Sequence, residues 1–194
     1  SAGAALAFFG DGATSSNDFH AGLNFAAVLE VPVVFCCANN QWAISLPTSR
    51  QTASASFAAK SSEYGLPGER VDGTDFVAVY SALAHALKRI RSGAGPELLE
   101  FVTYRMTPHS SSDDPSRYQP RGWAEAAAAH DPVARLEGWI RDHGLGDDAA
   151  IEAIVRDAES QVRAAVETAE ATPAPTAASL TEDVYAAGVS RRDS

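Results

Sequence analysis

Apolar positions along the chain fall into two periodicities. Ala4 to Phe9 is a short continuous apolar block closed by Gly10-Asp11-Gly12, and Val33 to Ala38 is another, stopped by Asn39-Asn40. Such blocks bounded by turn residues predict buried strands. Between them Asn17 or Asp18 caps a predicted helix to about Leu29, with Leu23, Phe25, Ala26 and Leu29 as its apolar positions. Strand, helix, strand is a right-handed crossover unit. The pattern recurs downstream. Arg70 to Asp72 is a short strand after Leu66-Pro67-Gly68, and Asp75 caps a helix to about Arg91. Phe76, Val79, Tyr80, Leu83, Leu87 and Ile90 recur at helical steps along it. Ser92 to Pro96 ends that helix, and Glu97 to Tyr104 is a further strand.

Alternation of this kind predicts an α/β fold, a mainly parallel sheet with helices on both faces. From Arg105 to Gly122 no period appears, which marks a functional loop or a disordered one. Asp131-Pro132 opens a helix to about His143, and Asp147 to Glu170 forms a longer amphipathic one. Its apolar stripe is Ile151, Ile154, Val155, Ala158, Val162, Ala165 and Val166. Pro173 and Pro175 mark a linker, and Ser179 with Glu182 suits a capping box for a last short helix. The expected organisation is a lobe over 1–122, including the 105–122 loop, with C-terminal helices and tail over 123–194 packed on the same domain.

Composition narrows the function classes. The 194 residues carry 15 basic and 25 acidic side chains, a net charge of −10. An acidic chain lacks the basic stripe that nucleic acid or an anionic membrane requires, so neither is an expected partner. The two cysteines, Cys36 and Cys37, are strand neighbours facing opposite ways and are not expected to pair. No apolar run is long enough to span a bilayer, and no leader pattern opens the chain. The only methionine is Met106 and the chain starts directly in strand-like sequence, so it reads as a piece of a longer protein.

The informative constellation is Gly10-Asp11-Gly12, a gap, then Asn39-Asn40. A lone Gly-Asp-Gly is a common turn. Two parallel strands, however, place Asp11 and Asn40 side by side at the carboxyl edge of the sheet, where open α/β sheets bind ligands. Glycines there let backbone N–H groups approach a phosphate, and the next helix offers its positive N-terminus. A carboxylate and an amide oxygen are hard ligands suited to Mg²⁺ shared with substrate phosphates.

On these residues the chain resembles a known family. Gly-Asp-Gly followed by 26 residues and Asn-Asn is similar to the thiamine-diphosphate motif. FFGDGATSSNDFHAGLNFAAVLEVPVVFCCANNQWAIS resembles the alpha subunit of the first component of 2-oxo acid dehydrogenase complexes, and RVDGTDFVAVY, YRMTPHSSSDDPSRY, HDPVARLEGWI and LTEDVY resemble further blocks of it, the branched-chain type above all. The resemblance implies the thiamine-diphosphate-binding fold, with thiamine diphosphate and Mg²⁺ as cofactors. It implies decarboxylation of a 2-oxo acid and acyl transfer to a lipoyl-bearing acyltransferase core. It implies a beta subunit as partner in an α2β2 heterotetramer, with the cofactor-activating glutamate on that subunit. The location would be cytoplasmic in a bacterium and the mitochondrial matrix in a eukaryote.

Carried over residue by residue, the resemblance makes Asp11, Asn40 and the main-chain carbonyl of Trp42 the metal ligands. Gly10, Gly12 and Ala13 would approach the diphosphate. Trp42 equally suits plain core packing, and the two roles are compatible. His109 matches a histidine near the cofactor that serves acyl transfer. Ser110 matches a serine phosphorylated in mitochondrial members. Arg105 and Asp113 are expected to pair across the loop, with Tyr118 and Arg117 completing its packing; an exposed pair would contribute little. Three positions depart from the family: Ser16 and Asn17 replace an acidic residue and a glycine, and Ala38 replaces a frequent charged residue before the Asn pair. His20 and His85 read as core or interface positions, His130 and His143 as helix ends. Two alternatives remain at this stage: a pyruvate or acetoin enzyme of the same class, or an inactive piece competent only for partner binding.

Overall fold

A computed structural model of the chain describes residues 3–182 and 184. Four parallel strands build the main sheet: β1 (Ala5–Gly10), β2 (Val33–Asn39), β6 (Glu97–Val102) and β5 (Gly68–Asp72), side by side in that order. Gly10 lies opposite Ala38, and Asn39 opposite Val102. All four strands therefore leave the sheet at one edge.

Both faces are covered, as the alternation requires. Helix α3 (Phe76–Arg91) lays Ala82, Ala86 and Ile90 over Val34, Cys36, Val71, Leu99 and Phe101. On the other face α1 (Asn17–Val28) brings Phe19 and Leu23 against Cys37 and Leu98, together with Phe57 and Leu66. Cys36 and Cys37 are free, buried and divided between these two cores. Asp75 caps α3 by accepting the Ala78 amide at 3.0 Å.

Several expectations are corrected. β1 is an edge strand, not a buried one, and Phe8 is 67% exposed. Ser16, not Asn17 or Asp18, caps α1 by accepting the Phe19 amide. Phe25 of that helix and Leu29 at its C-cap are exposed, because the buried stripe runs through Phe19, Leu23 and Ala26. A 3-10 turn (Asp11–Ser15) separates β1 from α1. Between β2 and β5 lie a two-strand hairpin, β3 (Trp42–Ala43) with β4 (Leu46–Pro47), the single-turn helix α2 (Thr48–Gln51) and a 3-10 segment (Ala58–Tyr64).

The chain divides into two units, Ser1–His143 and Gly144–Ser194. The first unit extends through His143. Helices α4 (Trp123–Ala129) and α5 (Pro132–Asp142) belong with the sheet. The Trp123 indole donates to the Arg105 carbonyl at 3.2 Å and meets Trp42 edge-on, while Arg135 pairs with Asp72 and Asp75. The second unit holds α6 (Asp148–Ala171), capped by Asp147, and a 3-10 turn (Ala177–Thr181). Ser179 sits inside that turn with its hydroxyl on the Thr176 carbonyl, so the expected capping box with Glu182 does not form. Tyr185 and the rest of the tail lie outside the described residues. Among the described residues no helix is long and apolar enough to cross a membrane.

Candidate functional site

The site grows from the sheet edge. β1 and β2 are in parallel register through Gly10 and Ala38, so the chain leaves both strands at adjoining points, into Asp11 and into Asn39-Asn40. Asp11 is 2% exposed, and its Oδ2 accepts the Gln51 side-chain amide at 2.6 Å. The same Gln51 nitrogen donates to the Leu46 carbonyl, tying α2 and the hairpin to the Gly-Asp-Gly turn. Among the described residues no cationic side chain pairs with Asp11. A buried carboxylate held only by a neutral amide is a costly arrangement that a cation relieves.

Asn40 turns its Oδ1 back to the Trp42 amide at 3.0 Å. Gln41 between them has φ +74°, in the left-handed region that reverses the chain sharply. Trp42 is buried, and its carbonyl accepts from Arg105 at 3.4 Å. Each of these carbonyl oxygens keeps a second lone pair. Gly12 sits tight against the hairpin: a Cβ there would meet Ala43 Cβ at 3.0 Å. Gly10 has no such neighbour, and Ala13 is exposed in the 3-10 turn. One carboxylate, one amide oxygen and one main-chain oxygen form a hard set that suits Mg²⁺ better than a thiolate- or imidazole-seeking metal. Among the described residues no cluster of three or more His, Cys, Asp or Glu stands ready to hold a metal. Hence any metal at this edge depends on amide and main-chain oxygens.

The 105–122 segment is ordered around one ion pair. Arg105 Nη2 donates to the Ile44 carbonyl at 2.9 Å and to Tyr118 Oη at 2.5 Å, and lies 3.9 Å from Asp113. The Tyr118 hydroxyl donates to Asp113 at 2.6 Å, and the same Asp113 oxygen accepts the His109 amide at 2.8 Å. The Arg105 and Asp113 side chains are only 9% and 12% exposed, so the pair is not the weak surface contact that sequence alone allows. The Tyr118 hydroxyl, the His109 amide and Arg105 hold the Asp113 carboxyl below its ordinary range. Burial and Asp113 push the Tyr118 hydroxyl above its ordinary value, keeping it a neutral donor. Tyr118 also packs on Trp42, ring centroids 5.3 Å apart. The loop is therefore fastened to the segment that carries Asn40 and Trp42. His109 and Ser110 are exposed on it, the Ser110 hydroxyl 3.3 Å from that of Ser112. Arg117 is exposed.

Other histidines stand apart. His20 is exposed with Nδ1 2.5 Å from the Tyr64 hydroxyl, and His85 is exposed, so neither is a core residue. His130 and His143 end α4 and α5, stacked on Tyr104 and Trp139. Sequence reasoning missed Gln51 and Trp123. Gln51 lies 40 residues from Asp11 and carries no local motif.

Comparison with known proteins adds a second line of support. The family model described as the dehydrogenase E1 component matches residues 2–178. The chain is similar to a Mycobacterium tuberculosis 3-methyl-2-oxobutanoate dehydrogenase subunit alpha, 48% identical over 164 residues, which are 83% of this chain and 45% of that protein. A Bacillus subtilis 2-oxoisovalerate dehydrogenase subunit alpha is 39% identical over 183 residues, 94% of this chain and 56% of that protein. A Staphylococcus aureus pyruvate dehydrogenase E1 component subunit alpha is 38% identical over 182 residues, 93% and 49%. The chain thus spans about half the length of the curated relatives it matches. With its family model running through the sheet, the Asp11–Asn40 edge and the Arg105 loop alike, this chain belongs to the dehydrogenase E1 component family.

Proposed function

We propose that this chain supplies the thiamine-diphosphate and Mg²⁺ half-site of a 2-oxo acid dehydrogenase alpha subunit. The carrying observation is the buried Asp11 carboxylate, without a cationic partner among the described residues, at the edge shared with Asn40 and Trp42. Asp11, the Asn40 side-chain oxygen and the Trp42 carbonyl would hold the metal. Gly10, Gly12 and Ala13 would lie along the diphosphate. Bound thiamine diphosphate supplies the electron sink that decarboxylation of a 2-oxo acid needs.

The chain's own residues then have defined tasks. Asp11 brings the negative charge that draws a divalent cation to an otherwise neutral oxygen set. Tyr118 and Trp123 pack on the Trp42 ring and hold the segment whose carbonyl would reach the metal. Arg105 and Asp113 hold the loop in one conformation, with the His109 imidazole exposed and free to take or give a proton as an acyl group leaves for a lipoyl arm. A beta subunit, in an α2β2 assembly, would complete the cofactor site. A branched-chain substrate is favoured over pyruvate because the relatives named for 3-methyl-2-oxobutanoate and 2-oxoisovalerate reach 48% and 39% identity, against 38% for the pyruvate enzyme. Phosphorylation of the exposed Ser110 would add charge beside His109 and loosen the loop.

The test is calorimetric titration of thiamine diphosphate into the full-length subunit with its beta partner, with and without Mg²⁺. Metal-dependent binding abolished by Asp11→Ala is the expected result; binding indifferent to Asp11→Ala refutes the ligand assignment. Turnover of 3-methyl-2-oxobutanoate against pyruvate decides the substrate.

A further inference from the structure

Glu100 is a charged residue in the middle of an inner strand. It lies on β6 between β2 and β5 and is 1% exposed, beside Leu98 and Leu99. A buried carboxylate is tolerated only where its oxygens are hydrogen-bonded. Both are. Oε1 accepts the Asn39 side-chain amide at 2.7 Å, and Oε2 accepts the Ala58 backbone amide at 2.9 Å. Arg70, itself largely exposed, reaches only 3.9 Å from Oε1.

The bond to Asn39 has a consequence at the other end of that amide. A carboxamide is directional, with donors on one side and an acceptor on the other. Because Glu100 takes the Asn39 nitrogen, Asn39 Oδ1 must face the opposite way. There it accepts the Gln41 amide at 2.9 Å and the Thr48 hydroxyl at 3.3 Å. Gln41 is the residue at φ +74°, a conformation disfavoured for any side chain and held here from outside. Its side chain is pinned too, donating to the Thr103 carbonyl at 2.8 Å. The turn so held carries Asn40 and Trp42.

We propose that Glu100 is a positioning residue: by selecting one orientation of the Asn39 amide it holds Gln41 left-handed and fixes where Asn40 Oδ1 and the Trp42 carbonyl stand for the metal. This rests on the reading of that edge as the metal site.

Glu100→Gln tests it in the full-length subunit assembled with its beta partner. A glutamine keeps an acceptor for Ala58 only by turning its own amide nitrogen towards Asn39. Asn39 must then flip, setting its nitrogen against the Gln41 N–H. With that bond lost, exchange of the Gln41 amide rises about tenfold, and so does the Mg²⁺ concentration for half-maximal thiamine diphosphate binding. The double variant Glu100→Gln with Asn39→Asp restores the set of bonds, with only the one between positions 100 and 39 reversed in polarity: glutamine donates to aspartate, and aspartate still accepts from Gln41 and Thr48. It should return both readouts to within about threefold of wild type.

A merely structural Glu100 gives another result, a lower melting temperature with unchanged Gln41 exchange and Mg²⁺ midpoint. That outcome, or a double variant no better than the single one, overturns the proposal. If Glu100→Gln does not fold, Thr48→Val removes one hydroxyl from the same Asn39 oxygen and should move both readouts the same way by a smaller factor; no movement is again a refutation. Wild-type cofactor binding that ignores Mg²⁺ sinks the site reading and this inference together. Mg²⁺-dependent binding that Glu100→Gln leaves unchanged sinks the inference alone.

Discussion

Replacing Arg105 by lysine isolates the fastening of the loop from its charge. The guanidinium spans three attachment points, the Ile44 carbonyl at 2.9 Å, the Tyr118 hydroxyl at 2.5 Å and, more weakly, the Trp42 carbonyl at 3.4 Å, with Asp113 at 3.9 Å. A lysine ammonium is a point charge on a flexible stem and serves one of these at full strength. Hydrogen bonds made by charged groups contribute about 1.5–3 kcal/mol each. The buried Arg105 Nε has no partner in the native arrangement, and lysine removes that unpaired donor. The net loss therefore falls near the lower end, about 2 kcal/mol of loop order. That corresponds to about a thirtyfold larger open population. Hydrogen exchange at the His109, Asp113 and Tyr118 amides, each bonded inside the loop, reads this directly. All three should exchange about thirtyfold faster in Arg105→Lys, with little change in global melting, because the loop opens locally. Acceleration below about threefold would show that the aromatic packing of Tyr118 on Trp42 holds the loop without the arginine, and the reasoning would fail.

Other outcomes follow from the same geometry. Gly68→Ala places a Cβ 2.2 Å from Ser61 Oγ and 2.3 Å from the Ala58 carbonyl, a backbone atom with no room to retreat. It should cost about 1–3 kcal/mol or more in denaturant unfolding, and a neutral result would contradict the packing of β5 on the 58–64 segment. Leu98→Ala, fully buried under α1, should cost about 2–5 kcal/mol in the same assay. Loop order should depend on pH in one direction. The Asp113 carboxyl is held below its ordinary value, so its contribution is complete above that value and is lost as pH falls through the lowered one. Exchange at the His109 amide, corrected for intrinsic rate, should stay flat from neutral pH down to the ordinary carboxylate range and rise only below it. Burial pushes the Cys36 thiol up to about 11 and the Cys37 thiol higher still. Thiol reagents should label neither in the native protein and both after denaturation.

The layout of the sheet was legible because periodicity is a local property. Apolar blocks closed by Gly-Asp-Gly and Asn-Asn, with an amphipathic helix between, suffice for a parallel crossover. Parallel register alone then brings Asp11 and Asn40 to one edge. The caps at Asp75 and Asp131 were likewise written locally, since each side chain bonds an amide two or three residues on. What stayed illegible depends on contacts distant in sequence. Nothing near Gln51 announces that it will hold Asp11, and nothing near Glu100 announces that it will orient Asn39. The motif named Arg105 and Asp113 as partners, but only tertiary packing decided that they are buried and bridged by Tyr118. Exposure of Phe8 and Phe25 was invisible for the same reason. Hydrophobicity says that a side chain gains by burial, whereas the order of strands and the rotation of a helix decide whether anything lies there to bury it. The sequence by itself determined the class of fold and the residues at the sheet edge; the tertiary structure decided which buried polar groups hold those residues still, because directional hydrogen bonds across distant segments exist only once the chain has folded.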